Sequence, residues 1–463
     1  MNRRTFNSLL AGTGVATAAP MHFGYAQHAL PDAGLLTTTL TPYGAERAGN
    51  ADGSIPAWTG GWTKPHVASN VSLDEPFYAQ DEKALYTVDA DNLEQYQSLV
   101  PPGLSALISK FDYKLIVYPT HRTAAAPQYV YDNIAQNVAR SKLDPRGGRF
   151  GFTGGYGGIP FPIIDITNPD TGGSQLIWNH LTAWGGFSNK SLFAVAMVVI
   201  NGKATLSGGQ YGQFLYPYYD PNGSPDAYSG YYSKLHIKDL APANVDGQEL
   251  LVWHSTNVNV TPDITWELLN GQARVRKAPN EAYDTPNSAY DGISNIDESQ
   301  CFYGNPAQYD WKYIGKQEML IPYNCNAMRY QSGPDFAGPK APNPSAARWE
   351  KHRVWVIEAT LHPGMTNVLA KRRFYLDEDT YNAVLGESYD ADGNMVKAYI
   401  SYIRSAPSVP MNNPVNILTF NLMTGDYIFN GNISYPGHTG GVYDVPVNNA
   451  YFDPQEMAAN ASF

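Results

Sequence analysis

Lys351-His-Arg-Val-Trp-Val-Ile-Glu-Ala-Thr-Leu-His-Pro-Gly364 begins the stretch, ending at Arg404, whose reading decides the fold. Residues 354–360 are mostly β-branched or aromatic, the composition of a strand. His362-Pro-Gly364 interrupts it, since proline has no N–H to give to a ladder. Residues 368–376 make a second run, closed by Asp377-Glu-Asp379. Residues 383–389 make a third and 395–403 a fourth. Between the last two, Asp390-Ala-Asp-Gly393 supplies a hairpin turn, with glycine where the backbone needs positive φ. Four such runs predict an antiparallel meander with one face to bury and one to solvate.

Alternation along each run assigns residues to faces. Trp355, Ile357 and Ala359 share one. Val368, Ala370, Phe374 and Leu376 share another with Arg372, and Val396, Ala398, Ile400 and Tyr402 share a third. Trp178, Trp184, Trp253, Trp266, Trp311, Trp349 and Trp355 lie in or beside strand-like runs, where large aromatics pack as core. On a concave sheet the inner face is both core and cavity wall, so some of these rings would touch a ligand. The residues expected to line such a cavity are Phe161, Trp178, Trp355, Ile357, Phe374, Leu376, Ile400 and Tyr402. Periodicity does not say which face is concave.

Turn residues are spread evenly from Thr41 to Tyr443, and no linker or fixed-period repeat divides the 463 residues. Residues 103–463 therefore read as one large, mostly antiparallel β unit with helices on one side. Residues 27–102 read as an extended arm plus a helix. Helical patterning is best over 75–100 and 132–141, and weaker over 232–240 and 379–385.

The compartment is written at the start. Asn2-Arg-Arg-Thr-Phe6 precedes an apolar run over 9–19, the pattern of twin-arginine export carried by Arg3 and Arg4. That run is too short for a ~30 Å hydrocarbon core. Gly24-Tyr-Ala26 offers small residues for cleavage, giving a leader of residues 1–26. Thr13 stands where a lipidated cysteine would be, so the processed chain is expected to be soluble in the periplasm. The net charge is −11; losing Arg3 and Arg4 takes the basic count from 31 to 29 against 42 acids, hence −13. An acidic surface without a basic tract disfavours nucleic acid and anionic headgroups. Only Cys301 and Cys325 are present, and in an oxidising compartment they are expected to pair as a structural disulfide beside the strand of Trp311 and Tyr313.

No motif for chemistry stands out. Gly147 to Gly158 is glycine-rich, but Pro160 and Pro162 follow it and forbid the helix a phosphate loop needs. Asp390-Ala-Asp-Gly-Asn394 starts like a calcium loop, yet Met395 and Ser401 occupy the positions of the required glycine and glutamate. Gly-x-Ser-x-Gly is absent, and the ten histidines form no His-x-His or His-x-x-x-His pair. His180, between Asn179 and Leu181, is the histidine to watch, with a hydrogen-bonded structural role as the default. Asp377 and Asp379 read as solvated caps. No cofactor and no metal is expected.

Several blocks of the chain resemble a proteobacterial envelope family, the domain-of-unknown-function family numbered 1329. They are Thr41-Pro-Tyr-Gly-Ala-Glu-Arg-Ala-Gly-Asn-Ala-Asp-Gly-Ser-Ile-Pro-Ala-Trp58, Gly158-Ile-Pro-Phe-Pro162 and Ile177-Trp-Asn-His-Leu181. Further blocks are Tyr309-Asp-Trp-Lys-Tyr-Ile-Gly-Lys-Gln-Glu-Met-Leu-Ile-Pro-Tyr-Asn324, His352-Arg-Val-Trp-Val-Ile-Glu-Ala-Thr360 and Lys371-Arg-Arg-Phe-Tyr-Leu-Asp-Glu-Asp379. The family is similar to outer-membrane lipoprotein-sorting proteins. The resemblance implies a mainly β (α+β) fold: a large curved antiparallel sheet or half-open β-barrel, with helices packed on the concave side around an apolar cavity. It also implies work beside outer-membrane barrel proteins and resistance-nodulation-division-type exporters. It brings no catalytic residue.

Three function classes follow. The first is a periplasmic carrier or chaperone for a lipid or other hydrophobic molecule. The second is an enzyme on a hydrophobic ester or lipid-like substrate, with His180 and a nearby acid as the place to look. The third is a non-catalytic interaction subunit of an envelope transport assembly.

Overall fold

The four runs of the meander form strands inside a larger sheet. The computed structural model describes residues 32–64, 75–269, 271, 274–278, 285–287, 290–438, 441–443, 446 and 448–459. The leader, residues 1–26 with Arg3 and Arg4, lies outside them. In chain order come β1 (Tyr86–Val88), α1 (Pro102–Phe111), β2 (Leu115–Val117), α2 (Gln128–Arg140), β3 (Lys142–Leu143), β4 (Phe152–Thr153) and α3 (Pro169–Leu181). Then follow β5 (Ser188–Ile200), β6 (Lys203–Leu215), β7 (Tyr231–Ala241), β8 (Glu249–Ser255), β9 (Ile264–Leu268), β10 (Arg276–Lys277) and β11 (Tyr309–Pro322). The last are α4 (Gly333–Phe336), β12 (Trp349–Leu361), β13 (Lys371–Asp377), β14 (Ala383–Tyr389), β15 (Met395–Ala406), β16 (Met411–Asn421), β17 (Tyr427–Gly431), β18 (Val442–Tyr443) and α5 (Pro454–Ala459).

The path β1-β2-β12-β13-β14-β15-β16-β17-β5-β6-β7-β8-β9-β10 is continuous and does not close on itself. β11 adds to β12 and β18 to β5. Apart from the single bridge of β2 to β12, the pairings are antiparallel. The result is a curved, open, mainly antiparallel sheet with few helices. Asp32–Phe463 forms one compact unit. The turn before β15 is built as its residues dictate: Gly393 has φ 84°, and Asp390 Oδ1 accepts the N–H groups of Asp392 and Asn394. Among the described residues no helix is long and apolar enough to cross a membrane.

Each face of the sheet carries its own core. On one, α1 buries Leu104, Leu107 and Ile108, the i, i+3, i+4 spacing of a single helix stripe, among Val354, Val356, Tyr375, Leu385 and Ile400. Pro102 at its first turn and Asp112 in the left-handed region after its last set its ends. On the other face, α2 contributes Val130 and Ile134, and α3 contributes Leu176, Ile177, Trp178 and Leu181. They meet Trp355, Ile357, Ala359, Phe374 and Leu376. α3 starts at Asn168, whose Oδ1 accepts the N–H groups of Asp170 and Thr171, with Pro169 first in the helix. Gly172 and Gly173 let it lie on β11: a Cβ on Gly173 would stand 2.5 Å from Lys312 N.

Several local expectations are corrected. The helix read over 132–141 is α2, slightly earlier, but 75–100 holds β1 and a 3-10 helix, Leu93–Leu99. Residues 232–240 form β7, paired on both edges by β6 and β8, and 379–385 are a turn leading into β14. Pairing on both edges outweighs a weak helical pattern. Cys301 and Cys325 do not pair; both are free and buried. Cys301 packs in the α3-face core, its Sγ 3.5 Å from Ser401 Oγ. Cys325 packs in the α1-face core, its N–H donating to Ile403 O. They approach β15 two residues apart but from opposite sides, so the sheet itself separates them. Burial pushes each thiol up to about 12.

Candidate functional site

The site is a cavity of about 250 Å3 on the α3 face. Its walls come from adjacent strands β15, β16, β17, β5, β6 and β7, closed by the end of α3 and by residues of the 290–303 loop. Pro414 helps to make the gap. It has no N–H for the ladder, and the β15–β16 register shifts there, Tyr402 pairing with Asn416 but Ile403 with Pro414. β17 ends at Gly431, opposite Asn416, while β16 runs on to Met411.

Strand order gives the cavity two unlike halves. On β6, β7, the end of α3 and the residues just after it, the lining is mostly apolar, with Leu181, Trp184, Phe214, Leu235 and Ile237 beside the polar His180 and Gln210. On β5, β15, β16, β17 and the residue after β17 it is amide-rich, with Asn189, Asn413, Asn430 and Asn432 around Arg404. Among the described lining residues Arg404 is the only Arg or Lys, and no Asp or Glu is present. Most of these polar groups have protein partners. Arg404 Nε donates to Asn413 Oδ1 at 3.0 Å, Ser191 Oγ to Asn432 Oδ1 at 2.5 Å, and Asn430 Nδ2 to Tyr290 OH at 2.8 Å. Asn416 differs. Its residue is 1% exposed, yet neither its amide oxygen nor its amide nitrogen has a hydrogen-bond partner. Leaving a buried polar group unpaired costs about 1–3 kcal/mol. Its side chain lies on the other, α1 face of the sheet: Asn416 pairs with Tyr402 and with Gly431, itself opposite Val195, and a Cβ on Gly431 would lie 2.5 Å from Asn416 Oδ1.

His180 also lines the cavity, but both ring nitrogens are taken. Nε2 lies 2.8 Å from Phe302 O, and Nδ1 accepts the N–H of Ala383 at 3.0 Å. That pattern fixes the neutral tautomer, with the proton on Nε2. Burial agrees, lowering the imidazole to about 4 against the opposing pull of the backbone bonds.

The eight residues expected to line a cavity pack elsewhere, and none is on this lining. Phe161, Trp178, Trp355, Ile357, Phe374 and Leu376 fill the α3-face core, whereas Ile400 and Tyr402 fill the α1-face core. Asn179 clamps the Pro160-Phe-Pro162 turn, accepting the N–H of Phe161 and donating to its carbonyl. Alternation placed residues correctly within β12 and β15, but Val368 and Ala370 precede β13, and Val368 is 62% exposed. The faces of different strands could not be aligned, because the register shifts at Tyr375/Leu376, Ser388/Tyr389 and Tyr402/Ile403. Arg404 and Asn416 went unseen. The available signal was Asn412-Asn-Pro-Val-Asn416, a run poor in strand formers where a strand must pass.

A second polar cluster lies at the 377–379 turn, and it corrects the reading of Asp377 and Asp379 as solvated caps. Both are buried, and they place one ligand atom each within 4.8 Å of His352, a grouping with metal-ligand chemistry. Protein cations already neutralise these acids. Asp379 receives Arg122 through Nη2 at 2.6 Å and Nε at 2.8 Å. His352 lies 3.3 Å from Glu350 and 3.6 Å from Asp377. Burial alone would lower the His352 imidazole, but Asp377 and Glu350 outweigh it and lift the group to about 9. Arg348 Nε donates to Glu350 at 2.5 Å. The same cluster holds the 41–58 segment: Glu46 N–H donates to Glu378, Arg122 Nη2 to Glu46 O, and Lys316 bridges Glu46 and Glu378.

The chain is similar to the uncharacterized protein PA3922 of Pseudomonas aeruginosa, 37% identical over 379 residues, which is 79% of either chain. Among solved structures it is similar to a DUF1329 family protein from Desulfovibrio piger, at TM-score 0.43 and 15% identity, covering 63% of this chain and 99% of that one. It is also similar to the LolA superfamily protein NE2245 from Nitrosomonas europaea, at TM-score 0.33 and 10% identity, covering 61% and 97%. The model of the family described as a protein of unknown function, DUF1329, matches residues 87–458, and the chain belongs to that family.

Proposed function

We propose that this protein is a periplasmic carrier that holds a lipid or other hydrophobic molecule in the α3-face cavity and passes it between envelope components. The observation that carries this is the cavity itself: a space at the sheet surface with one wall built from Leu181, Trp184, Phe214, Leu235 and Ile237. Its volume is just below the ~300–1,000 Å3 usual for small-molecule sites, which suits one acyl chain or a compact apolar ligand. Burying about 200 Å2 of such a ligand gives ~5 kcal/mol before the costs of association. The Arg3-Arg4 leader supports export. The family resemblance supports an outer-membrane barrel protein or a resistance-nodulation-division-type exporter as the exchange partner. Hydrolysis at His180 is less favoured, because that imidazole spends both nitrogens on the backbone. The test is gentle purification from periplasm, organic extraction and mass spectrometry. A stoichiometric apolar molecule supports carriage; empty protein that also fails to bind fluorescent fatty acids or sterols overturns it.

A further inference from the structure

We infer that the molecule carried in this cavity is a neutral amphiphile whose head both gives and takes hydrogen bonds, as a carboxamide does, and not an ion. This rests on the carrier reading and goes beyond it by naming the ligand class. The first observation is which amides face the space. Ala406 pairs with Met411 in the α3-face core, and two residues along Arg404 pairs with Asn413, so Asn413 points to the same side. Asn430 shares that face, opposite Ile417 and Ala196, and Gln210 reaches it from β6, opposite Ala194. All three are half-buried. The second observation is that each amide is only half used by the protein. Asn413 Oδ1 accepts from Arg404 Nε, and its Nδ2 has no partner among the described residues. Gln210 Nε2 donates to Asp239 Oδ1 at 2.8 Å and Asn430 Nδ2 to Tyr290 OH, which leaves both amide oxygens over. Guanidinium only donates and carboxylate only accepts, so the orientations of Asn413 and Gln210 are dictated by their partners. Unlike the amide of Asn416, these spare atoms are not sealed from the space. The third observation is charge. No Asp or Glu is on the described lining, and Arg404 is 1% exposed and bound to Asn413, so an ionic head would find no counter-ion on the wall. An anion would also leave the Gln210 oxygen unmet, and an ammonium the Asn413 N–H; a carboxamide meets both. Phe214, Leu235 and Ile237, farther along β6 and on β7, supply the wall for its tail.

The experiment is calorimetric titration of the full chain, stripped of lipid, with octanamide, octanoate, octylamine and methyl octanoate at neutral pH. Wild type should bind octanamide about ten-fold or more tighter than either ion. It should bind the ester about three-fold or more weaker than octanamide, because an ester accepts but cannot donate. Gln210→Leu removes an acceptor from the wall and should erase the advantage of octanamide over the ester while sparing the ester. Asn430→Asp makes the wall acidic and keeps its bond to Tyr290, whose hydroxyl then donates. It should raise the octylamine-to-octanamide affinity ratio about ten-fold. Octanoate or octylamine binding wild type as tightly as octanamide overturns the neutral-head inference while leaving carriage intact. So does the ester binding as tightly, and so does an unchanged ratio in either variant. Failure of every probe to bind overturns carriage as well. Should Gln210→Leu not fold, the wild-type order of the four probes with Asn430→Asp decides.

Discussion

Two regions of this molecule bury polar side chains, and they do it in opposite ways. Around the 377–379 turn, Asp379 is matched by Arg122, Glu350 by Arg348 and Asp377 by His352, with the 41–58 segment bound over them. In the cavity the polar side chains are mostly neutral amides, and they pair with one another or with nearby hydroxyl and guanidinium groups. The first arrangement spends its charges on holding the chain together. The second joins mostly neutral groups to one another and leaves the wall with no carboxylate among the described lining residues. The difference teaches that burial of polar groups does not by itself mark function; what matters is whether they border open space or are covered by the chain.

The sharpest way to break this contrast is to cut the ionic cluster. Arg122→Met leaves Asp379 buried without its bidentate partner and should cost about 3–5 kcal/mol, read from urea denaturation. Joined to Asp379→Asn, it should cost much less than the sum of the single changes. A loss below about 1 kcal/mol for the single variant would deny the cluster its structural role.

The cluster should also show itself in pH dependence. The His352 imidazole titrates near 9 in the folded chain and near 6.5 when unfolded. A raised value means the imidazolium contributes its stability in full below about 6.5 and loses it as pH rises through 9, a change of roughly 3 kcal/mol. His352→Gln should flatten the denaturation profile across that window, while ligand affinity in the cavity stays as it was.

At Asn416, on the α1 face, the sign reverses. Asn416→Leu should stabilise the empty protein by about 1 kcal/mol, because an unpaired amide is replaced by an apolar group of similar size. A clear loss of thermal stability would mean that this amide is satisfied in solution. The smallest effect belongs to the cysteines. Reductant should leave the melting midpoint unchanged, and Ellman titration should find no reactive thiol in native protein but two after denaturation.

The meander was legible because period-two patterning and turn residues such as Asp390 and Gly393 act locally. So was α2, although its start was not. α3 escaped, although Asn168-Pro-Asp170 is a readable helix start, because Ile177-Trp-Asn-His-Leu181 looks strand-like. The disulfide expectation failed because residue spacing says nothing about which face of a sheet a cysteine occupies. Asp377 and Asp379 were misread for a similar reason. Their burial depends on Arg122, more than 250 residues away in the chain. The cavity was illegible because three register shifts decide which side chains share a wall, and a one-residue shift reverses every assignment beyond it.

An open sheet has ends, and β11 is a long one: among the described strands it pairs only with β12. Its fourteen residues would otherwise be a template for the backbone of another copy. Asp310, Lys312, Lys316 and Glu318 place charge along it, and the bulge at Tyr313/Gly315 spoils its straightness. The contact of Gly173 with Lys312 adds a helix seated on its main chain. A larger residue at 173 would lift that helix and leave the strand bare. The consequence would be colloidal: a protein that still folds and still binds, but whose solutions turn cloudy on standing.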